Sequence, residues 1–172
     1  MKSGEGGGGW ESGRAEGGGL GRGALWPKDR LQCGPQPWLF VGETVLEDLD
    51  LQPRRCVWQH PVSGEPVRTT LRNVPLGERL VLHAGLYYVH ERPLTGGTVE
   101  VEVELDGESI GTMVHRDGDG WKRLEVSTET RARGDRARGD VTIEVRADQP
   151  DMRTLCWAAS TRGPAASSES IP

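Results

Sequence analysis

The sequence predicts an all-β protein: an antiparallel β-sandwich or jelly roll of about eight strands with disordered termini. Three observations lead to this prediction. Short segments rich in β-branched and aliphatic residues recur between residues 54 and 162. Turn signals built from glycine, proline and aspartate separate these segments. No convincing amphipathic helix interrupts them, which favours a sandwich, with a β-barrel as the alternative.

The clearest strand pair spans residues 99–114. Apolar residues alternate with glutamates, as in a half-buried strand, at Val99, Val101, Val103 and Leu105. Asp106 and Gly107 follow, and this dipeptide suits the positive φ angles of a type I′ turn. The return strand is expected from Ser109 to about Val114.

The other strand candidates share short length and bounding turn residues. They cover 56–61, 66–75, 79–92, 120–129, 140–147 and 152–161. Gly85 interrupts the long third candidate and indicates a bend or bulge there. We expect these strands to form one domain over residues 54–162.

The flanking segments have a different composition. Residues 1–25 are glycine-rich and lack a periodic apolar face, so we expect disorder there. Residues 26–53 are expected to form a linker or arm, in which residues 38–41 form a short strand or pack onto the domain. The polar tail 163–172 is also expected to be disordered.

Composition excludes two classes of partner. The 172 residues carry a net charge of −5 with interspersed signs, unlike the basic surface of a nucleic-acid-binding protein. No stretch approaches the roughly 20 apolar residues of a membrane helix. Residues 1–25 contain no secretory h-region, although a wrongly chosen start or a domain cut from a longer protein would hide one.

Cys56 and Cys156 occur near the two ends of the predicted domain. First and last strands of a sandwich often lie close together, so a disulfide is geometrically reasonable. Two buried free thiols are the alternative. A disulfide would indicate an oxidising, extracytoplasmic compartment. Cys33 lies in the linker and has no obvious partner.

The segment HRDGDGWKR, residues 115–123, combines two aspartates with two glycines. Counted as a calcium loop from Asp117, position five is Trp121 and position twelve is Thr128, so the EF-hand pattern fails. We therefore interpret Asp117 to Gly120 as a turn between two strands, with Trp121 starting the next strand inward. Calcium bound by Asp117 and Asp119 remains an open possibility, and no other cofactor is expected.

Ligand contacts are predicted where aromatic and polar side chains occur near strand ends. Flat sugar faces stack on exposed aromatic rings, and Tyr88 with His90 and Arg92 is the favoured surface group. Trp58, Trp121 and Trp157 are favoured as core residues. The candidate ligand-binding residues are Tyr88, His90, Arg92, His115, Asp117, Asp119 and Trp121.

Catalytic motifs are missing from the sequence. The four histidines show neither HxH nor HExxH spacing, and no G-x-S-x-G segment is present. The chain is therefore predicted not to be an enzyme, with a metal-dependent cupin-like enzyme as a distant alternative. The tandem repeat RARGDRARGD, residues 131–140, is interpreted as a duplicated loop rather than an adhesion tip.

Several segments together resemble a known family. They are "CVWQHPVSGEPVRTTLRNVPLGERLVLHAGLYYVHER", "VEVELDGESIGTMVHRDGDGWKR" and "RTLCWA". Their order is similar to that of galactose-binding-like jelly-roll modules, especially accessory domains of bacterial envelope and membrane glycosyltransferases. The resemblance implies a non-catalytic β-sandwich, a carbohydrate ligand and an extracytoplasmic Cys56–Cys156 bridge.

The leading hypothesis is therefore a non-catalytic binding or accessory module that recognises carbohydrate or a cell-envelope partner. A purely structural domain of a larger membrane-associated protein is the alternative. The compartment is unknown from the residues alone.

Overall fold

Two antiparallel sheets packed face to face form the protein, which confirms the predicted β-sandwich. The computed structural model describes residues 10–12 (backbone only), 30–131 and 137–163. The five-stranded sheet has the order β1-β5-β10-β7-β8, and its strands are Trp10–Ser12, Val67–Pro75, Arg138–Ala147, Val99–Leu105 and Glu108–His115.

The six-stranded sheet has the order β2-β3-β4-β11-β6-β9. Its strands are Arg30–Gln32, Phe40–Glu47, Pro53–Gln59, Leu155–Arg162, Arg79–Leu86 and Lys122–Ser127. A single turn of helix, α1 (Tyr88–Glu91), follows β6. The chain alternates between the sheets, so residues distant in sequence meet at the ends of the sandwich.

The core lies between the sheets and follows the predicted alternation. The valines of β7 and Leu105 are buried, and they meet buried residues of the other sheet that include Leu82, Leu86 and Trp157. The glutamates of β7 point the other way. At the tip of the β7–β8 hairpin, Asp106 and Gly107 have φ angles of 52° and 82°. The predicted type I′ geometry, with positive φ at both central positions, is confirmed.

The sandwich extends into the segment that was expected to be a linker or arm. β3 pairs with β4 from Val41 to Glu47, and β2 pairs with β3. β3 is stabilised there because Phe40, Val41 and Leu46 are buried. The backbone of β1, from the glycine-rich segment, pairs with β5.

Most of the terminal segments lie outside the described residues, as does the first Arg-Gly-Asp copy. The second copy begins β10. The Asp140 carboxylate accepts hydrogen bonds from the Asn73 amide at 2.8 Å and from Arg72 Nη1 at 2.7 Å. Arg138 Nε donates to the Asn73 carbonyl at 2.9 Å. These contacts fix the second copy against β5.

A buried glutamine joins the two sheets. Gln59 Nε2 donates to the carbonyl oxygens of Val67 at 2.8 Å and Ile143 at 3.1 Å. Gln59 Oε1 accepts from Thr69 Oγ1 at 2.8 Å and from Trp157 Nε1 at 2.9 Å. The end of β4 is therefore held firmly in the core.

Candidate functional site

An open cleft of about 640 Å³ lies on the outer face of the six-stranded sheet. We call it the outer cleft. One wall comes from β2, β3, β4 and the turn before β3, and the other comes from the residues that follow β6. The side chains that dominate its lining are Trp38, Phe40, Val45, Trp58, Tyr87 and His90. It is an aromatic, largely apolar surface with polar groups at its edges.

Stacked aromatic rings form the first wall of the outer cleft. Phe40 and Trp58 are nearly parallel, with ring centroids 5.3 Å apart and an interplanar angle of 9°. The Arg30 guanidinium lies 4.9 Å from the centre of the Phe40 ring. Trp58 Nε1 donates a hydrogen bond to the Trp38 carbonyl at 3.0 Å, and the Trp38 side chain is 51% exposed. Trp38 is therefore presented to solvent on a fixed support.

Tyr87 and His90 form the second wall, and their ring centroids are 5.7 Å apart. Burial lowers the pKa of His90, and the nearby charge of Arg153 lowers it further. One ring nitrogen, Nδ1, is 2.9 Å from Thr154 Oγ1. Burial raises the pKa of Tyr87, with Tyr88 and Glu47 adding to the effect. At neutral pH the wall offers a neutral imidazole and a neutral phenol, both suited to hydrogen bonding with hydroxyl groups.

The Cys56–Cys156 disulfide is formed in the structure, with the two Cα atoms 5.6 Å apart. Both cysteines face away from the core, next to the outer cleft. Leu46, Trp58, Tyr87 and Trp121 pack against this bridge. The disulfide and the aromatic residues thus form a second, smaller apolar cluster outside the sandwich core.

Trp121 belongs to this outer cluster, so the expectation that it points inward is wrong. A β-carbon at Gly85 would stand only 2.7 Å from Trp121 Cε3, and the missing side chain leaves room for the ring. The Arg54 guanidinium lies 5.6 Å from the Trp121 ring centre. Trp58 is likewise in the outer cluster, whereas Trp157 is a core residue as expected.

Asp117 binds a buried arginine. Its carboxylate pairs with Arg153 Nη1 and accepts a hydrogen bond from the Gly96 amide at 2.7 Å. Arg153 Nη2 also donates to the His90 carbonyl at 3.1 Å. One guanidinium therefore ties together α1, the following loop and the segment 116–120.

Asp119 is engaged within its own loop. Its Oδ2 accepts hydrogen bonds from the Arg116 amide and from Lys122 Nζ, both at 2.9 Å. Gly118 and Gly120 have φ angles of 90° and 65°, which favour glycine. The loop is thus a turn held by its own side chains. Within the described ranges no group of three potential metal ligands occurs, and the calcium site considered at Asp117 and Asp119 is untested.

His115 and Glu91 are fully buried beneath this loop. His115 Nε2 donates to the Gly120 carbonyl at 2.7 Å, and Glu91 Oε1 accepts from the Gly120 amide at 2.8 Å. Burial lowers the pKa of His115 and raises that of Glu91. His115 therefore supports the loop and offers no exposed ligand contact, contrary to the sequence-based expectation.

Tyr88 and His90 lie on α1 and Arg92 directly follows it, but the three residues do not form one surface group. The Arg92 guanidinium lies 4.9 Å from the Tyr88 ring centre, and only His90 lines the outer cleft. Tyr87 takes the position predicted for Tyr88. Sequence reasoning missed Tyr87, Trp38 and Phe40 as cleft residues, although the apolar run PWLF at 37–40 was a usable signal.

Among the described residues, no helix is long and apolar enough to cross a membrane. No family model matches the sequence, and no curated protein matches it. Two solved structures share its fold, each with a TM-score of 0.52. One is CBM51-2 in complex with GlcNAc and INT domains from Clostridium perfringens ZmpB, at 14% identity over 76% of this chain and 28% of that chain.

The other is the tandem CBM51 modules of Sp3GH98, the family 98 glycoside hydrolase from Streptococcus pneumoniae, at 9% identity. It covers 91% of this chain and 49% of that chain. The chain thus spans about a quarter and about half of these two structures. The likeness concerns the fold alone, and it agrees with the predicted antiparallel β-sandwich.

Proposed function

We propose that this protein is a non-catalytic carbohydrate-binding module and that its ligand occupies the outer cleft. The observation that carries the proposal is the cleft itself: aromatic rings on both walls, one of them half-exposed and firmly supported. The fold shared with carbohydrate-binding modules supports the same function.

The chemistry of the cleft suits a sugar with one apolar face. Axial C–H groups of a pyranose ring meet the negative face of an aromatic side chain, and Trp38 offers such a face to solvent. Tyr87 and His90 supply neutral hydrogen-bonding groups on the opposite wall. Because a solved structure of the same fold carries GlcNAc, N-acetylglucosamine is the first ligand to test.

The test is isothermal titration with N-acetylglucosamine and galactose, followed by affinity electrophoresis on a panel of polysaccharides. We expect Trp38→Ala to weaken binding at least about tenfold, which corresponds to 1.4 kcal/mol. The matched control is Leu94→Ala, since Leu94 is 66% exposed and does not line the cleft. Absence of binding across the panel, or equal binding by Trp38→Ala, would overturn the proposal.

We also propose an extracytoplasmic location, because a disulfide is stable in oxidising compartments. A cell-envelope partner fits this location. Recovery of the protein from the cytoplasm without the disulfide would contradict the proposed location. The missing disulfide would be seen as the same gel mobility under reducing and non-reducing conditions. If no glycan binds, a purely structural role for the domain is the alternative function.

A further inference from the structure

We propose that the β2–β4 unit is a hinged wall of the outer cleft and that the Cys56–Cys156 disulfide fixes this wall in its ligand-binding position. The hinge is a property of the fold alone. The coupling to ligand rests on the proposed function, because it requires a molecule that contacts both walls.

The unit has its own hydrogen-bonded ladder but only a short connection to the remaining sheet. β3 and β4 pair along seven positions, from Val41–Gln59 to Glu47–Pro53. The register between β4 and β11 contains two pairs, Trp58 with Cys156 and Val57 with Trp157. On the other side of β11, pairing with β6 runs over the whole length of the strand. The shortest ladder of the six-stranded sheet, counted in paired residues, therefore lies at the edge of the cleft.

The two ends of the unit differ in how they are held. At the base, Val57 is part of the core and Gln59 bonds to both sheets. At the tip, the contacts are with the outer face. Leu46 packs in the disulfide cluster, and Leu49 Cβ lies 3.9 Å from the β-carbon position of Gly120. A rotation about the base would separate the tip from this surface without disturbing the core.

The disulfide lies between base and tip and opposes such a rotation. The two cysteines are 4% and 0% exposed, because Leu46, Trp58, Tyr87 and Trp121 cover them. A reductant therefore reaches the sulfur atoms when the tip lifts. The same movement separates Leu46 and Glu47, which line the cleft at the tip, from Tyr87 on the other wall, so access to the disulfide and opening of that end of the cleft are one event.

Reduction by a dithiol proceeds in two exchange steps. One thiolate of the reagent attacks a cysteine sulfur, forms a mixed disulfide and releases the other cysteine as a thiolate. The second thiol of the reagent then displaces the first cysteine, leaving two protein thiols and a cyclic disulfide of the reagent. Because ligand binds the closed form, it should slow reduction by a factor of about 1 + [L]/Kd, or about elevenfold at ten times Kd.

The first arm of the test needs no ligand. Hydrogen exchange followed by mass spectrometry compares the oxidised wild type with the Cys56→Ala/Cys156→Ala variant. We expect faster exchange in the second half of β3 and the first half of β4, with protection retained in β7 and β10. Uniformly faster exchange in both sheets, or no change in the β2–β4 unit, would overturn the hinge.

A second measurement uses the wild type and does not depend on whether the variant folds. The rate of reduction by dithiothreitol is followed against urea concentration, because the slope reports the surface exposed by the opening. Opening of the hinge predicts a slope well below that of global unfolding. Equal slopes would show that the disulfide is exposed by global unfolding and would refute the hinge.

The ligand arm repeats the reduction with N-acetylglucosamine or the best glycan from the panel. We expect the ligand to protect the disulfide of the wild type from reduction in a saturable way, and we expect this protection to be lost in Trp38→Ala. Binding without protection would refute the coupling while leaving the proposed function intact. Absence of binding by every glycan would refute the proposed function and with it the coupling, and the hinge would still be decided by exchange and by the urea dependence.

Discussion

Replacement of the buried Gln59 by leucine should strongly destabilise the protein. Gln59 is fully buried and its amide makes four hydrogen bonds, two as donor and two as acceptor. Leucine has a similar length and no polar atoms. Gln59→Leu therefore leaves Trp157 Nε1 and Thr69 Oγ1 without this acceptor in the core.

The magnitude follows from these two donors. Leaving a buried donor unsatisfied costs about 1–3 kcal/mol, so the pair should cost roughly 4 kcal/mol in unfolding free energy. The carbonyl oxygens of Val67 and Ile143 also lose a donor, which adds to the loss. Few domains have more than about 15 kcal/mol in total, so the effect should be easily measured.

Urea unfolding monitored by tryptophan fluorescence measures the change, with an unaltered slope showing that the two-state comparison is valid. The control is Gln52→Leu at an exposed glutamine of the β3–β4 turn, where we expect a change within about 0.5 kcal/mol. A loss below about 1 kcal/mol for Gln59→Leu would refute the reasoning.

Three further predictions concern the loop at residues 115–121 and Glu91, which accepts a hydrogen bond from Gly120 in that loop. Asp117→Asn should lower the unfolding free energy by about 3 kcal/mol, because it leaves the buried Arg153 without its charged partner, and urea unfolding measures this. Glu91 has a raised pKa, so the native state holds its proton more tightly, and stability falls as pH rises from its ordinary pKa through the raised one. Glu91→Gln should remove the part of this loss of stability that comes from Glu91. Melting curves at pH 5 and pH 8 measure it, and the same difference in melting temperature in wild type and variant would contradict the prediction. Because Asp117 and Asp119 already bind protein donors, we expect the same melting temperature in calcium and in chelator; a calcium-dependent rise would show a site.

Local pattern was sufficient for the strands and for the β7–β8 turn. Alternation at Val99 to Leu105 and the Asp106-Gly107 dipeptide are determined by neighbours in the chain, so sequence reasoning reaches them. Tyr87 and Tyr88 show where this stops. They would point to opposite sides if the strand continued, but β6 ends at Leu86 and α1 starts at Tyr88, which turns Tyr87 towards the cleft.

The cleft depended on contacts between distant segments. Trp121 faces outward because Gly85, 36 positions earlier, leaves space for it and Arg54 covers it. Gln59 looks like any polar residue in CVWQHP, since its partners are up to 98 positions away. Periodicity along a strand predicts which residues are buried. It does not predict on which face of the sheet a second apolar cluster, such as the one around the disulfide, will form.

The position of β11 has a consequence for how this protein folds during its synthesis. β11 is the last strand along the described part of the chain, yet it lies in the middle of the six-stranded sheet, between β4 and β6. It also carries Cys156, and Arg153 lies two residues before it. A ribosome-bound chain that stops short of residue 155 lacks the strand that joins β4 to β6, so the sheet is completed late. Long-range pairing of this kind makes folding slow. Such a chain would keep the six-stranded sheet open until the residues of β11 have been made.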